Sequence, residues 1–117
     1  MKYALLLYSS EDAGPQGEEE MMEEMPKWFA FTEELTQAGA NLGGEALLPA
    51  AMATTVQVRD GKRITTDGPF AETKEVLGGF YIVEADNVDE VLAWAEKIPS
   101  APYGSVEVRP VMEIPDA

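Results

Sequence analysis

Residues 65–81 carry the side chains that are best suited to chemistry in this chain. Asp67 opens an Asp-Gly-Pro-Phe turn, and at the mouth of a cleft its carboxylate would act as a general base. The phenol of Tyr81 or of Tyr8 would then act as the acid. These residues predict proton-transfer chemistry without a cofactor.

The same turn also has a purely structural interpretation. Asp67 can accept hydrogen bonds from nearby backbone N–H groups, Gly68 tolerates unusual backbone angles, and Pro69 fixes the chain. Phe70 would then anchor the loop in the core. Under the functional interpretation, Gly68, Pro69 and Phe70 contact a ligand instead.

Two charged residues follow the turn. Glu72 offers a second carboxylate, and Lys74 offers a cation for a substrate anion. Because Lys74 lies between Glu72 and Glu75, a solvated ion pair is the alternative. The sequence has no His and no Asp-x-Asp-x-Asp loop, so these carboxylates predict no metal site.

Aromatic side chains recur on the predicted first helix and on the strands. They could line an apolar pocket with a few phenolic hydroxyls, or fill the core and a dimer interface with no ligand. The set comprises Tyr3, Tyr8, Trp28, Phe29, Phe31 and Tyr81. Tyr8 and Trp28 are the ligand-contacting candidates outside residues 65–81.

Composition narrows the classes of function. The 117 residues carry 22 acidic and 8 basic side chains, a net charge of −14, and the bases are scattered, so nucleic acid and anionic membranes are not expected partners. The lack of Cys and His excludes Ser-His-Asp triads, Cys nucleophiles and His-ligated haem. No signal peptide or membrane-spanning segment is predicted, which favours a cytoplasmic protein.

Hydrophobic periodicity and turn residues predict six strands and two helices within one domain, residues 1–117. Pro26 either kinks the first helix or marks its true start, and Gly39 closes it as a left-handed cap. Gly43-Gly44 indicates a bulge, and Asp60-Gly61 a hairpin turn. The predicted strands are 3–8, 41–48, 54–59, 62–66, 80–85 and 105–112, and the predicted helices are 18–38 and 88–98, the second with a buried stripe of Val88, Val91, Leu92, Ala95 and Ile98.

This order is that of an α+β, ferredoxin-like split βαβ fold with an inserted β-hairpin. Both helices would cover one face of the sheet, which leaves apolar side chains on the other face exposed to water. A homodimer that pairs two sheets face to face, a dimeric α+β barrel, would cover them.

Several segments resemble the YCII-related family, in its branch with the Asp-Gly-Pro-Phe signature. They are the opening Met-Lys-Tyr-Ala-Leu-Leu-Leu-Tyr, the hairpin Thr-Thr-Val-Gln-Val-Arg-Asp-Gly, residues 66–81 and the closing Ser-Val-Glu-Val-Arg-Pro-Val. The resemblance implies a bacterial, cytoplasmic dimeric barrel with a cleft between helix, sheet and the signature loop. Some relatives carry a His on the first helix, near the position of Trp28, and this chain has none, so a mechanism resting on it does not transfer.

Three hypotheses follow from the sequence. The first is a homodimer that binds a small organic molecule and has a regulatory or accessory role. The second is a cofactor-independent isomerase, lyase or monooxygenase that uses Asp67 and Tyr81 or Tyr8. The third is a protein-interaction module for a sigma factor, because members of the signature branch resemble proteins whose genes lie beside those of extracytoplasmic-function sigma factors.

Overall fold

One four-stranded sheet with two helices forms the body of the protein. The computed structural model describes residues 1–70 and 74–115. Its elements, in chain order, are β1 (Lys2–Ser9), α1 (Gly17–Gln37), β2 (Asn41–Ala46), a short 3₁₀ turn (Ala50–Met52), β3 (Thr54–Arg59), β4 (Lys62–Asp67), β5 (Val76–Glu84), α2 (Val88–Ala95) and β6 (Ser105–Pro110).

The body strands lie in the order β2–β5–β1–β6, and all neighbours are antiparallel. This is the predicted ferredoxin-like arrangement, with β3 and β4 inserted as a separate two-stranded sheet. The central strand β1 pairs with β5 on one side and β6 on the other. A shift in register between Leu7 and Tyr8 leaves Gly78 of β5 opposite no residue of β1, and pairing continues beyond it, so β5 begins at Val76, earlier than predicted.

Helix α1 is continuous through Pro26, which resolves the alternative that the sequence left open. Pro26 lies on the exposed side of the helix, where water can reach the carbonyl of Met22 that loses its hydrogen bond. The helix ends at Gln37, and Gly39 after it has the predicted left-handed conformation, with φ of +74°. The backbone N–H of Ala40 then donates to the carbonyl of Leu35 at 3.1 Å, which satisfies the last turn.

The core lies between one face of the sheet and the two helices. Its fully buried side chains are Leu5, Leu35, Val83, Val91 and Ile98. Phe31 contacts the rings of Tyr81 and Trp94 edge to face, with centroids 5.3 and 6.2 Å apart. Through these contacts α1 packs against both β5 and α2.

The predicted stripe of α2 is wrong at two positions. Val88 and Leu92 are 46% and 49% exposed, and Trp94 packs against the core instead. The buried stripe of α2 therefore runs through Val91, Trp94 and Ala95, with the indole of Trp94 partly buried. The helix ends at Ala95 and not at the predicted Ile98, which is buried just beyond it.

The sheet face away from the helices has no helical cover in the described part of the chain. Because Tyr3, Leu5 and Leu7 face the core, the intervening residues of β1 face outward. Ala4 pairs with Ile82 and Leu6 with Phe80, so the four form an apolar strip across β1 and β5. We call this strip the open face.

The hairpin β3–β4 projects away from the body. Asp60 and Gly61 have φ of 54° and 73°, as its predicted turn requires. None of its residues is buried, and its apolar side chains Val56, Val58 and Ile64 are exposed. The Cα radius of gyration is 16.3 Å, against about 13 Å for a compact chain of this length.

Candidate functional site

A cleft of about 830 Å³ separates α1 from the sheet at the end where β1 stops. One wall is a face of α1 that carries Met21, Met25, Trp28, Phe29 and Thr32 at helical spacing. The floor is formed by β2 and the first half of β5. Residues 9–15, 47–50 and 100–103 supply parts of the rim.

A carboxylate on α1 joins two aromatic donors at the cleft wall. The indole N–H of Trp28, one turn further along the helix, donates to Glu24 Oε2 at 3.2 Å. The hydroxyl of Tyr103 lies 3.0 Å from both carboxylate oxygens of Glu24 and donates to them. The three side chains form a polar cluster in an otherwise apolar wall.

Tyr103 reaches this cluster from the loop between α2 and β6. Its ring lies against Gly14, where a Cβ atom would come within 2.4 Å of the ring. Desolvation by burial, reinforced by the hydrogen bond to Glu24 and by its charge, raises the pKa of Tyr103 to about 12. The phenol therefore stays protonated at neutral pH and acts as a donor.

A second polar contact crosses the cleft from helix to sheet. Thr32 Oγ1 and the hydroxyl oxygen of Tyr81 are 2.8 Å apart, and either group can donate. Both side chains are half-buried and both line the cleft. Together with the Phe31 contact, this bond holds the Tyr81 ring at a fixed position in the wall.

The model of the YCII-related domain matches residues 1–115. The chain belongs to the YCII-related family. An uncharacterised protein of Rhizobium meliloti is 36% identical over 114 residues, which are 95% of this chain and 92% of that relative.

An enzyme of known structure shares the fold of this YCII-related protein. It is a 5-chloro-2-hydroxyhydroquinone dehydrochlorinase from Burkholderia phenoliruptrix, in complex with 2,5-dihydroxybenzoquinone. The TM-score is 0.58, the identity 18%, and the match covers 96% of this chain and 94% of the enzyme. At this identity the likeness shows the fold alone.

The structure of the YCII-related chain brings only part of the predicted site together. Tyr8, Trp28 and Tyr81 line the cleft, whereas Asp67 is an exposed residue at the end of β4 and is not among the described lining residues. The predicted roles of these residues stay predictions.

The loop after β4 is held at the base of the hairpin. The N–H of Gly68 donates to the carbonyl of Ala53 at 2.7 Å, and its carbonyl accepts from the hydroxyl of Thr55 at 2.8 Å. Phe70 is 76% exposed, so its predicted anchoring in the core is wrong for the single chain.

The other loop residues add little to the described cleft. Pro69 and Lys74 are exposed and lie outside its lining. Glu72 lies outside the described residues. Within residues 1–70 and 74–115, no three acidic side chains converge as metal ligands do.

Sequence reasoning did not select the polar residues that form hydrogen bonds across this YCII-related cleft, Glu24, Thr32 and Tyr103. The four-residue spacing of Glu24 and Trp28 places both on one helical face and could have revealed their contact. No local pattern points to Tyr103, because its position depends on how the loop after α2 packs against α1. Among the described helices, none is long and apolar enough to cross a membrane.

Proposed function

We propose that this YCII-related protein is a homodimer that binds a small, predominantly apolar organic molecule in the cleft between α1 and the sheet. The observation that carries the proposal is the cleft itself. Its volume of about 830 Å³ falls within the range of about 300–1,000 Å³ that is typical of small-molecule sites. Aromatic and Met side chains, among them Met21, Met25, Trp28 and Tyr81, supply apolar parts of its walls.

The polar groups of the cleft are few and fixed, which is typical of a site that orients its ligand. Glu24 is held by two donors, and Thr32 is bonded to Tyr81. Such groups can accept or donate one more hydrogen bond without a change of rotamer. A ligand with one polar end and a flat apolar body could bond to these polar groups and also contact the apolar walls.

The signature loop supports a second part of the proposal. Ala50 and Val76 line the cleft, and residues 68–75 connect the end of β4, at the hairpin base, to Val76. We therefore propose that Asp67, Gly68, Pro69, Phe70, Glu72 and Lys74 flank the cleft entrance, and that the chain belongs to the Asp-Gly-Pro-Phe branch of the family. Phe70→Ala should then weaken ligand binding while leaving the thermal stability unchanged.

The homodimer is supported by the open face and by the hairpin. Four strands about 4.8 Å apart and about seven residues long present a planar area on the order of 450 Å². Two such faces would bury about 900 Å², which is below the roughly 1,200 Å² at which specific interfaces begin. The exposed apolar side chains of the hairpin would supply the remaining area.

Native mass spectrometry of gently purified protein tests both parts. We expect a dimer that carries an additional small mass, and we expect Met25→Trp, which fills the cleft from α1, to release that mass. Met22→Trp is the matched control, because Met22 is 68% exposed and lies outside the lining. A bare monomer would contradict the proposal, and so would equal retention of the ligand by the two variants.

A cofactor-independent enzyme is the second candidate, favoured by one observation. Glu24 and Tyr103 pair a carboxylate with a phenol that stays neutral at pH 7, and both line the cleft together with Tyr81. In this version Glu24 takes the role of base that the sequence assigned to Asp67. Turnover of substituted hydroquinones, followed by absorbance and lost in Glu24→Gln but kept in Asp67→Asn, would support it.

A further inference from the structure

We infer that the cleft selects an organic cation, an ammonium group carried on an apolar or aromatic body, over an organic anion. This inference rests on the proposed binding function and adds the charge of the ligand to it. The reason is the distribution of charge around the cleft, which is one-sided.

The described lining of the cleft contains acidic side chains and no basic ones. Glu11, Glu24 and Glu45 line the cleft. All eight Lys and Arg residues lie within the described part of the chain, and none of them is among its lining residues. Inside the cleft, a ligand carboxylate or phosphate would meet repulsion and no cationic partner among the described lining residues, since Lys74 at the proposed entrance lies outside that lining.

Glu24 is the carboxylate best placed to meet a cation. It is half-buried, so the interaction of its charge with a ligand is screened less than at the open surface. Its donors Trp28 and Tyr103 are both neutral groups, and none of the ion pairs found among the described residues involves Glu24. The carboxylate is therefore oriented while its charge remains available to a ligand.

The aromatic walls add a second preference for a cation. The lining includes Tyr8, Trp28, Phe29 and Tyr81. Aromatic faces attract ammonium groups through the ring quadrupole, most strongly when water is excluded, and they repel anions. Walls of aromatic rings beside a carboxylate are the combination that recognises alkylammonium ligands.

The rest of the chain reinforces this selection over longer distances. The net charge of −14 makes the surrounding potential negative, which raises the local concentration of cations and lowers that of anions. This contribution is screened by salt, whereas the contact with Glu24 persists at high salt. The two contributions can therefore be separated by ionic strength.

Three probes with one skeleton test the inference: 2-phenylethylamine, 2-phenylethanol and phenylacetate. Their affinities for the full chain are measured by calorimetry or by NMR titration at pH 7, in low salt and in 0.5 M NaCl. We expect the amine to bind at least about tenfold more tightly than phenylacetate at low salt, with the alcohol between them. The order should remain at high salt with a smaller spread.

Two variants with the same change in net charge separate the site from the general field. Glu24→Gln should reduce the affinity for the amine several-fold and leave that for the alcohol within about twofold. Glu23→Gln alters the neighbouring exposed position, which is outside the cleft lining, and should change neither. Thermal melting of both variants checks that they are folded.

The outcomes separate this inference from the binding function. If the alcohol binds and the amine binds no more tightly, the selection for cations is wrong and the cleft still binds apolar ligands. If phenylacetate binds best, the inference is likewise overturned. If none of the three binds at millimolar concentration, the binding function is rejected and the inference is rejected with it.

Discussion

The cleft and the projecting hairpin are two regions of one chain that are stabilised in opposite ways. The cleft is formed by side chains from α1, the sheet and the loop after α2, which meet over a buried core. The hairpin is formed by its own backbone pairing and by an Asp-Gly turn, and it buries no side chain. The cleft therefore depends on tertiary packing, whereas the hairpin depends on local structure alone.

The largest difference between the two regions should appear on truncation of apolar side chains. Leu35, on α1, is fully buried, so Leu35→Ala should lower the free energy of unfolding by about 2–5 kcal/mol. Ile64→Ala, on the exposed hairpin, should lower it by less than about 0.5 kcal/mol in a dilute, monomeric sample. Urea unfolding followed by tryptophan fluorescence measures both.

Raising the protein concentration sharpens the same test. If the hairpin becomes buried in a homodimer, the cost of Ile64→Ala should grow with concentration while that of Leu35→Ala stays constant. Equal costs for the two variants at low concentration would contradict the distinction between the regions.

The second largest effect concerns the open face. Leu6→Glu places a charge in the apolar strip and should convert a dimer into a monomer, because an unpaired buried charge costs several kcal/mol. Leu92→Glu adds the same charge to the exposed side of α2 and is the control. Analytical ultracentrifugation of both variants decides, and a dimer that survives Leu6→Glu would exclude face-to-face pairing.

A third test separates backbone strain from side-chain displacement inside the cleft. Gly14 and Gly17 have φ of 76° and 82°, so an Ala at either position costs about 1–2 kcal/mol of strain. Only at Gly14 does the added Cβ also collide with the ring of Tyr103. Gly14→Ala should therefore destabilise the protein more than Gly17→Ala and should alone reduce ligand affinity, as measured by melting and by titration with 2-phenylethylamine.

The smallest expected effect is on pH dependence. The pKa of Tyr103 is about 12 in the folded protein, against the ordinary value of 10.0 for a solvated phenol. The unfolded chain therefore loses this proton at a lower pH than the folded protein does. The contribution to stability is complete below about pH 10 and is lost between pH 10 and pH 12. Tyr103→Phe should flatten the decline in melting temperature over that interval, and an unchanged slope would contradict the assigned environment of this phenol.

The hairpin is the region whose structure local sequence predicts best. Its turn and both strands follow from Asp60-Gly61 and the alternating residues beside it, and the observed bounds differ by one residue at the end of β4. The sequence predicts that β5 starts at Phe80, where a run of β-branched and aromatic residues begins. In the structure β5 starts at Val76, because its pairing with β1 continues past the shift in register between Leu7 and Tyr8.

The cleft shows where such a prediction stops. Tyr8, Trp28 and Tyr81 could be selected because aromatic residues on a helix face and on strands are visible in the sequence. Tyr103 could not, because its place beside Glu24 is set by the packing of a loop that has no periodicity. Asp67 was chosen from its turn motif, and a motif fixes backbone shape more reliably than it fixes distance to a cleft.

The contact between Tyr103 and Glu24 also has a consequence for the order in which the protein folds. The two residues are 79 positions apart in the chain, and joining such distant segments costs loop entropy that local contacts do not. The hairpin and α1 can therefore form early, while the cleft is complete only after the loop beyond α2 has docked. Affinity for a cleft ligand should develop in the last phase of refolding, so the ligand would report on finished molecules and not on partly folded ones.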